Sequence, residues 1–289
     1  MSERSIAVIG LGLLGGAIAA RLCELGWPVR GFDVDSARRD AAQAEGVKTF
    51  DSAAAAIDGA TRILLSLPNS DVVGAVLNEL KPALCSDSVI LDTTTGDPNF
   101  AVAQAETLCR AGVTYLETNV VGSSAQARAG DVTLLVAGDS ATIDRCRDLF
   151  DALAARWFAV GPTGAAARMK LVANLVLGLN RAALAEGLSF AEKLDLSPAL
   201  TLEVLQASAA YSRAMDTKGQ KMLDRDFSPQ ARLAQHLKDV RLMIAAAEKS
   251  GADLPLTRVH EELLEESVQA GRGPLDNSAI IEVFRDRAT

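Results

Sequence analysis

Two polar residues stand one helical turn apart in the apolar run GAAARMKLVANLVLGLN, Gly164 to Asn180. Residues four apart share a helix face, so the Lys170 ammonium and the Asn174 carboxamide point the same way. Met169, Leu171, Val172, Leu175, Val176 and Leu177 flank them. A lysine in such surroundings is costly unless its charge is used or removed. The chemistry suggested is proton transfer. A lysine whose pKa is lowered by burial or by a nearby cation can act as general acid/base. A carboxamide one turn on can orient substrate or lysine by hydrogen bonding. The plainer reading is a surface lysine and a solvated asparagine, and the apolar neighbours argue against it.

A second constellation lies near the start. SIAVIGLGLLGG places Gly10, Gly12 and Gly15 in G-x-G-x-x-G spacing, after a strand-like run and before a helical one. Gly10 allows the tight turn, Gly12 lets backbone approach a pyrophosphate, and Gly15 lets helix and strand pack closely. The turn Gly10-Leu11-Gly12-Leu13-Leu14-Gly15 therefore reads as a dinucleotide cradle at a helix N-terminus. Asp33, in RGFDVD, ends the second strand-like run. A carboxylate there accepts from the adenosine ribose hydroxyls and repels a 2′-phosphate. Asp35 adds to that repulsion, and Arg38 and Arg39 read as a solvated face of the following helix. NAD is the expected cofactor, with NADP possible.

These groups need a scaffold. Up to Val160, the runs SIAVIG, WPVRGFD, TRILLSLP, SVILDT, TYLETNVV, VTLLVAG and WFAV alternate with Ala- and Leu-rich helical patterns. Such alternation predicts βαβ crossovers and a mainly parallel sheet, covered on both faces. After Val160 only helical periods remain, broken at Leu196 to Pro198, Asp226 to Pro229, Gly251 to Pro255 and Gly271 to Pro274. The expected organisation is a Rossmann-type α/β domain over residues 1–162, a long interdomain helix over 163–193, and an all-α substrate and dimerisation domain over 194–289. That helix would be a rod of about 40 Å whose tip carries Lys170 into a cleft between the domains.

With 289 residues, 49% of them hydrophobic, the chain can fill two cores. A formal net charge of −8 argues against nucleic acid but leaves room for a small anionic substrate in a locally positive pocket. The four cysteines, Cys23, Cys85, Cys109 and Cys146, form no CxxC pair and are expected to be buried free thiols, with no metal site. No apolar run is expected to span a bilayer, so the chain reads as soluble and cytoplasmic. An exposed apolar face on the long helix would suit a homodimer or homotetramer.

In order and spacing these pieces resemble the β-hydroxyacid dehydrogenases typified by 3-hydroxyisobutyrate dehydrogenase. The resemblance rests on GLGLLGG, LPNS (Leu67 to Ser70), LDTTTGDP (Asp92 to Pro98), ETNVVGSS (Glu117 to Ser124), GPTGAAARMKLVAN, LKDVRLM (Leu237 to Met243) and GPLDNSA. It implies that Lys170 is the general acid/base with Asn174 beside it. It places Leu67, Pro68 and Thr95 near the cofactor. Val121, Gly122 and Ser123 would lie at the substrate, and Lys238 at substrate or nicotinamide. The substrate motif departs from the family's pattern. Val121 stands where Ser is usual, Ser123 where the second Gly is usual, and Asn119 where Pro is usual, so substrate identity is the least constrained property. The backbone N–H groups around Gly122 and Ser123 could still hold an anion. Ala173 replaces the first of two asparagines. Phe227 is expected in a core or cleft wall, and His236 and His260 in structural positions.

The expected activity is hydride transfer between a nicotinamide and a small β-hydroxyacid or the corresponding semialdehyde. Two alternatives carry weight. An imine reductase on the same fold would typically lack the lysine. A dinucleotide-binding sensor would bind without turnover. A methyltransferase or flavoenzyme could use the glycine turn but would not account for the helical half.

Overall fold

The computed structural model describes residues 5–287. The seven apolar runs become seven of eight strands: β1 (Ile6–Ile9), β2 (Val29–Phe32), β4 (Arg62–Leu65), β5 (Val89–Asp92), β6 (Thr114–Val121), β7 (Thr133–Ala137) and β8 (Arg156–Gly161), with β3 (Lys48–Thr49) the eighth. They form one sheet in the order β3-β2-β1-β4-β5-β6-β7-β8. Every pairing is parallel except β6 with β7, where Glu117 faces Ala137 and Val121 faces Thr133. β3 is a two-residue addition at the edge, too short for a periodicity to announce it.

Side chains alternate across the sheet, and β1 shows both faces covered. Ile6 and Val8 join a core with Leu22, Leu91 and Phe150. Ala7 and Ile9 join the opposite core with Ile63, Leu77 and Ile90. The crossover helices supply those layers. They are α1 (Leu13–Glu24), α2 (Ser36–Ala44), α3 (Ala53–Ile57), α4 (Ser70–Leu80), α5 (Pro98–Cys109), α6 (Ser124–Ala129), α7 (Ser140–Arg145) and α8 (Arg147–Leu153). Asp35, Ser52, Asn69, Asp97 and Asp139 cap α2, α3, α4, α5 and α7, each accepting a first-turn N–H.

Helix α9 runs unbroken over Ala165–Lys193. The chain divides into two compact units, Met1–Lys170 and Leu171–Thr289. The division falls inside α9, so the helix is shared between them rather than standing as a separate segment. Contrary to expectation, α9 is long and apolar enough to cross a membrane by length and composition, with an 18-residue window of mean hydropathy 1.3. It also carries buried Lys170, Asn174 and Arg181, which suits a core helix.

The second unit packs α10 (Pro198–Ala207), α11 (Gln220–Asp224), α12 (Leu233–Ser250), α13 (Pro255–Ser267) and α14 (Ile281–Arg287) with the rest of α9. Leu184, Leu188, Met222, Leu233, Val240, Leu264 and Ile280 form its core, with Phe227 packed against them. Asp276, of the DNSA segment, is fully buried and organises the turns around it. It pairs with Lys218 at 2.8 Å and accepts the N–H groups of Gln230, Ala231 and Ser278. The His236 and His260 rings lie 5.2 Å apart against Gly178, where a Cβ would come within 2.6 Å of His236 Nε2.

The cysteines depart from expectation. Cys146 is buried and Cys23 partly so, but Cys85 and Cys109 are exposed. Cys109 closes α5 and Cys85 follows the turn after α4, where the chain leaves the core. Among the described residues, no three His, Cys, Asp or Glu side chains form a group that could hold a metal ion.

Candidate active site

The three glycines of the turn do three different things. Gly10 has φ +93°, and a Cβ there would meet Ser66 O at 2.3 Å. A Cβ on Gly15 would sit 1.9 Å from Gly10 O, so α1 and the turn touch backbone to backbone. At Gly12 the nearest atom to an added Cβ is Arg38 Nη1 at 3.7 Å, so the space over it is open. Gly12 is also the N-cap of α1 and offers no side chain to cap it. The first-turn N–H groups and the positive end of the helix dipole are thereby left for an anion. These residues fit a dinucleotide pyrophosphate.

Asp33 follows β2 and is buried. Its carboxylate accepts the Leu11 N–H at 2.8 Å and the Asp35 N–H at 2.9 Å, tying the glycine turn to the second strand. Leu11 itself points into the core and packs against Gly31. Arg38 and Arg39 are not simply solvated. Arg38 Nη1 lies 3.4 Å from Asp33 Oδ2, its Nε lies 3.4 Å from Asp35, and Arg39 donates to the Asp33 carbonyl at 2.8 Å. Both guanidinium groups fold back because the carboxylates and the strand-end carbonyl lie only three to six residues before them. The loops after β4 and β5 are joined by the Leu67 N–H, which donates to Thr94 Oγ1 at 3.2 Å. That bond brings Pro68 and Thr95 into neighbouring loops. Asp97 caps α5.

Lys170 is 6% exposed and donates to the Val120 carbonyl of β6. Three residues earlier on β6, buried Glu117 accepts the N–H of Gly164 and, at 2.9 Å, that of Ala167. Burial pushes the Glu117 carboxyl above its usual range, and the N–H groups of α9 pull it back. Its register partner on β5 is Asp92, also raised by burial. Asp92 accepts from Tyr115 Oη at 2.6 Å and from the Thr94 N–H at 2.8 Å. A small cavity lined by Ser70, Asp92, Thr94, Tyr115, Glu117 and Ala167 lies beside these acids. Asp92, Tyr115 and Glu117 have no assigned role in the sequence motifs. The available signal was an acid inside the apolar run TYLETNVV.

Asn119, in the place of the usual Pro, uses its carboxamide to donate to Thr94 O at 2.9 Å. Val121 ends β6 and is half-buried. Gly122 has φ +153°, and a Cβ there would meet Val132 at 2.7 Å. Ser123 caps α6 in a capping box. Its Oγ accepts the Gln126 N–H at 3.2 Å and its own N–H donates to Gln126 Oε1 at 3.0 Å. The Ser123 N–H expected to hold an anion is thus already used, because Gln126 stands three residues on in capping-box spacing.

In the second unit, Asp239 of α12 joins two of the expected residues. Its Oδ2 accepts from Asn174 Nδ2 at 3.1 Å, and its Oδ1 lies 3.4 Å from Lys238 Nζ. Asn174 and Asp239 are each 7% exposed. The carboxamide is therefore held in a fixed orientation, on the helix face it shares with Lys170.

Residues 5–161 match the family model described as the NAD binding domain of 6-phosphogluconate dehydrogenase. Residues 164–284 match the one described as NAD-binding of NADP-dependent 3-hydroxyisobutyrate dehydrogenase. The 2-(hydroxymethyl)glutarate dehydrogenase of Eubacterium barkeri is 30% identical, over 98% of this chain and 96% of its own. The 2-hydroxy-3-oxopropionate reductase of Escherichia coli is 27% identical over 96% of each. The solved 3-hydroxyisobutyrate dehydrogenase of Mycobacterium tuberculosis, with L-serine, is 28% identical and superimposes with a TM-score of 0.86, covering 98% of this chain and 99% of that one. An imine reductase from Pseudomonas sp., at 21% identity and a TM-score of 0.68 over 97% of this chain and 99% of its own, shares the fold alone. Both halves are matched in order and the relatives run the full length, so the chain belongs to the β-hydroxyacid dehydrogenase family and is an NAD(P)-dependent oxidoreductase acting on hydroxyacid CH–OH groups.

Proposed function

We propose that this enzyme interconverts a small β-hydroxyacid, of the 3-hydroxyisobutyrate kind, and its semialdehyde, with NAD preferred over NADP and with Lys170 as the general acid/base. The observation that carries the reading is the buried Lys170 ammonium, fixed on β6 at the start of an apolar helix. When bound, the nicotinamide supplies the hydride acceptor or donor. Lys170 takes the proton from the substrate hydroxyl on oxidation as its neutral amine, and gives one to the carbonyl oxygen on reduction as its ammonium. Asn174, held by Asp239, orients the reacting oxygen or the lysine. The Gly122 backbone is assigned to the substrate carboxylate, on the family resemblance. The preference for NAD rests on the Asp33 carboxylate at the end of β2, which a 2′-phosphate would have to approach.

The decisive experiment is a panel of 3-hydroxyacids and semialdehydes assayed with NAD and NADP, followed at the reduced-nicotinamide absorbance. Turnover of at least one member, with NAD the better cofactor, is expected. Tight NADH binding with no turnover of any member would replace the reading with a dinucleotide-binding sensor.

The enzyme is further proposed to be a cytoplasmic homodimer or homotetramer acting on small molecules rather than on nucleic acid or membrane. Val172 and Val176 of α9 and Leu200 and Val204 of α10 are all more than half exposed, an apolar surface that suits a second subunit. Sedimentation equilibrium giving a monomer at micromolar concentration would remove the oligomer from the proposal.

A further inference from the structure

Strand β6 grips the start of α9 twice. The Val120 carbonyl accepts from the Lys170 ammonium. The Glu117 carboxylate takes the N–H groups of Gly164 and Ala167, and the Ala166 N–H also faces it. Glu117 is 2% exposed, and the hydrogen bonds it accepts come from backbone rather than from a cationic side chain. Its neighbour across the sheet, Asp92, is another buried acid. A carboxylate in this position costs desolvation and like-charge repulsion. Leucine or valine at position 117 would fill the same core at less cost. What a carboxylate adds is a match to the positive end of α9 and a fixed set of N–H partners.

We infer that Glu117 is a positioning residue for Lys170: by holding the N–H groups of Gly164 and Ala167 it sets the rotation and axial position of α9 on β6, and so delivers the ammonium to the Val120 carbonyl. The inference rests on the reading of Lys170 as general acid/base. The geometry makes the demand clear. A slip of one residue along a helix moves its side chains by about 1.5 Å and turns them by about 100°. Such a slip would take the lysine off the face that meets β6. A contact at Lys170 alone does not prevent it, because a four-carbon stem can follow a rotated helix. A second grip one turn upstream, made to the backbone itself, does. Glu117 and Val120 stand three positions apart on one strand, so both grips belong to a single rigid element.

The test compares Glu117→Gln and Glu117→Asp with the wild type. Glutamine keeps the size but puts an NH₂ group where one N–H acceptor is needed. Aspartate keeps the charge and shortens the reach. Two readouts are taken. One is kcat and KM for hydroxyacid and for NAD across pH. The other is the 13C resonance of reductively methylated Lys170, assigned with Lys170→Ala and titrated, which needs no turnover. Glu117→Gln is expected to lower kcat about 10- to 100-fold and to leave KM for NAD within about twofold, since a misplaced acid/base is felt in the transition state. The Lys170 titration should shift, and Glu117→Asp should fall between the two. An unchanged pH profile and unchanged Lys170 titration in Glu117→Gln would overturn the inference, whatever happened to its melting temperature. If Glu117→Gln does not fold, a wild-type pH profile and Lys170 titration in Glu117→Asp would overturn it equally. A wild type that turns over no member of the panel defeats the proposed function instead, and the Lys170 resonance still decides the positioning.

Discussion

The ammonium of Lys170 donates to the backbone carbonyl of Val120, the last buried residue of β6. An ammonium has three N–H donors, and this contact takes one of them. A carbonyl holds the amine in place without taking its proton, which suits a group that must give and recover one. Lys170→Ala should therefore lower kcat by about 10²- to 10⁴-fold, the usual worth of a general acid/base, with the Kd for NADH within about twofold. Lys170→Arg separates charge from proton transfer. Guanidinium keeps the positive charge but does not deprotonate in this range, so it should be as slow as alanine. Near wild-type turnover in Lys170→Arg would show that charge alone suffices and would end the acid/base assignment. Stopped-flow single-turnover rates and NADH fluorescence titration supply the two numbers.

The second prediction concerns Asp33. Its carboxylate braces Leu11 and is the group on which the proposed NAD preference rests, and Arg38 lies 3.4 Å away. Asp33→Asn keeps an acceptor for the Leu11 N–H and removes the charge. It should lower the ratio of kcat/KM for NAD over NADP by about tenfold, on the order of 1.4 kcal/mol. Arg38→Ala should move the ratio the other way, because it removes a cation that offsets the two aspartates. A wild type that already prefers NADP would contradict the cofactor preference at once. So would two variants that move the ratio in the same direction.

What could be read from the sequence follows from range of interaction. The strands of the first unit came from continuous apolar runs, a local signal, and α9 from a long stretch without breakers. The nucleotide turn was legible because its glycines carry backbone constraints that any sequence displays. β3 was not, since two residues have no periodicity. The fold-back of Arg38 and Arg39 onto Asp33 was missed because a charge pattern does not say which way a side chain turns. The Ser123 capping box was within reach, as Ser and Gln stand three apart, but family pattern drew the serine towards substrate. Glu117 shows the real limit. Its partners lie 47 and 50 positions away, and only the fold brings the start of α9 to the middle of β6.

The third prediction separates the glycines of the turn. At Gly15 an added Cβ would overlap Gly10 O at 1.9 Å, and backbone cannot swing aside as a side-chain end can. Gly15→Ala should lower Tm by several degrees or more, with dinucleotide binding lost as a consequence. At Gly12 the nearest atom is 3.7 Å away, so Gly12→Ala should fold with Tm within about 2 °C of wild type. Its methyl group would instead occupy the open space over the turn and weaken NADH binding at least tenfold. Equal loss of Tm in both variants would mean that Gly12 is as structural as its neighbours.

The fourth prediction is a pH dependence in the second unit. His260 is 2% exposed, and its pKa is pushed down from 6.5 to about 4 by burial, with the positive charge of Arg181 adding to the effect. The His236 ring lies 5.2 Å from it, centroid to centroid. Below about pH 6.5 the unfolded chain binds a proton here that the folded chain refuses until about pH 4. The contribution of this site to stability is therefore whole above pH 6.5 and is lost as pH falls towards 4. At about 1.4 kcal/mol per unit its ceiling is about 3 kcal/mol. His260→Gln removes the titration and leaves the other acids in place, so the stability difference between wild type and variant should shrink steadily from pH 7 to pH 4. Trp27 and Trp157 both lie in the first unit, so fluorescence would report the wrong half. Urea unfolding followed by the helical signal at 222 nm includes the second unit, whose regular structure is all helical. Curves that stay parallel across that pH range would mean that His260 is protonated in the folded protein as readily as in the unfolded chain.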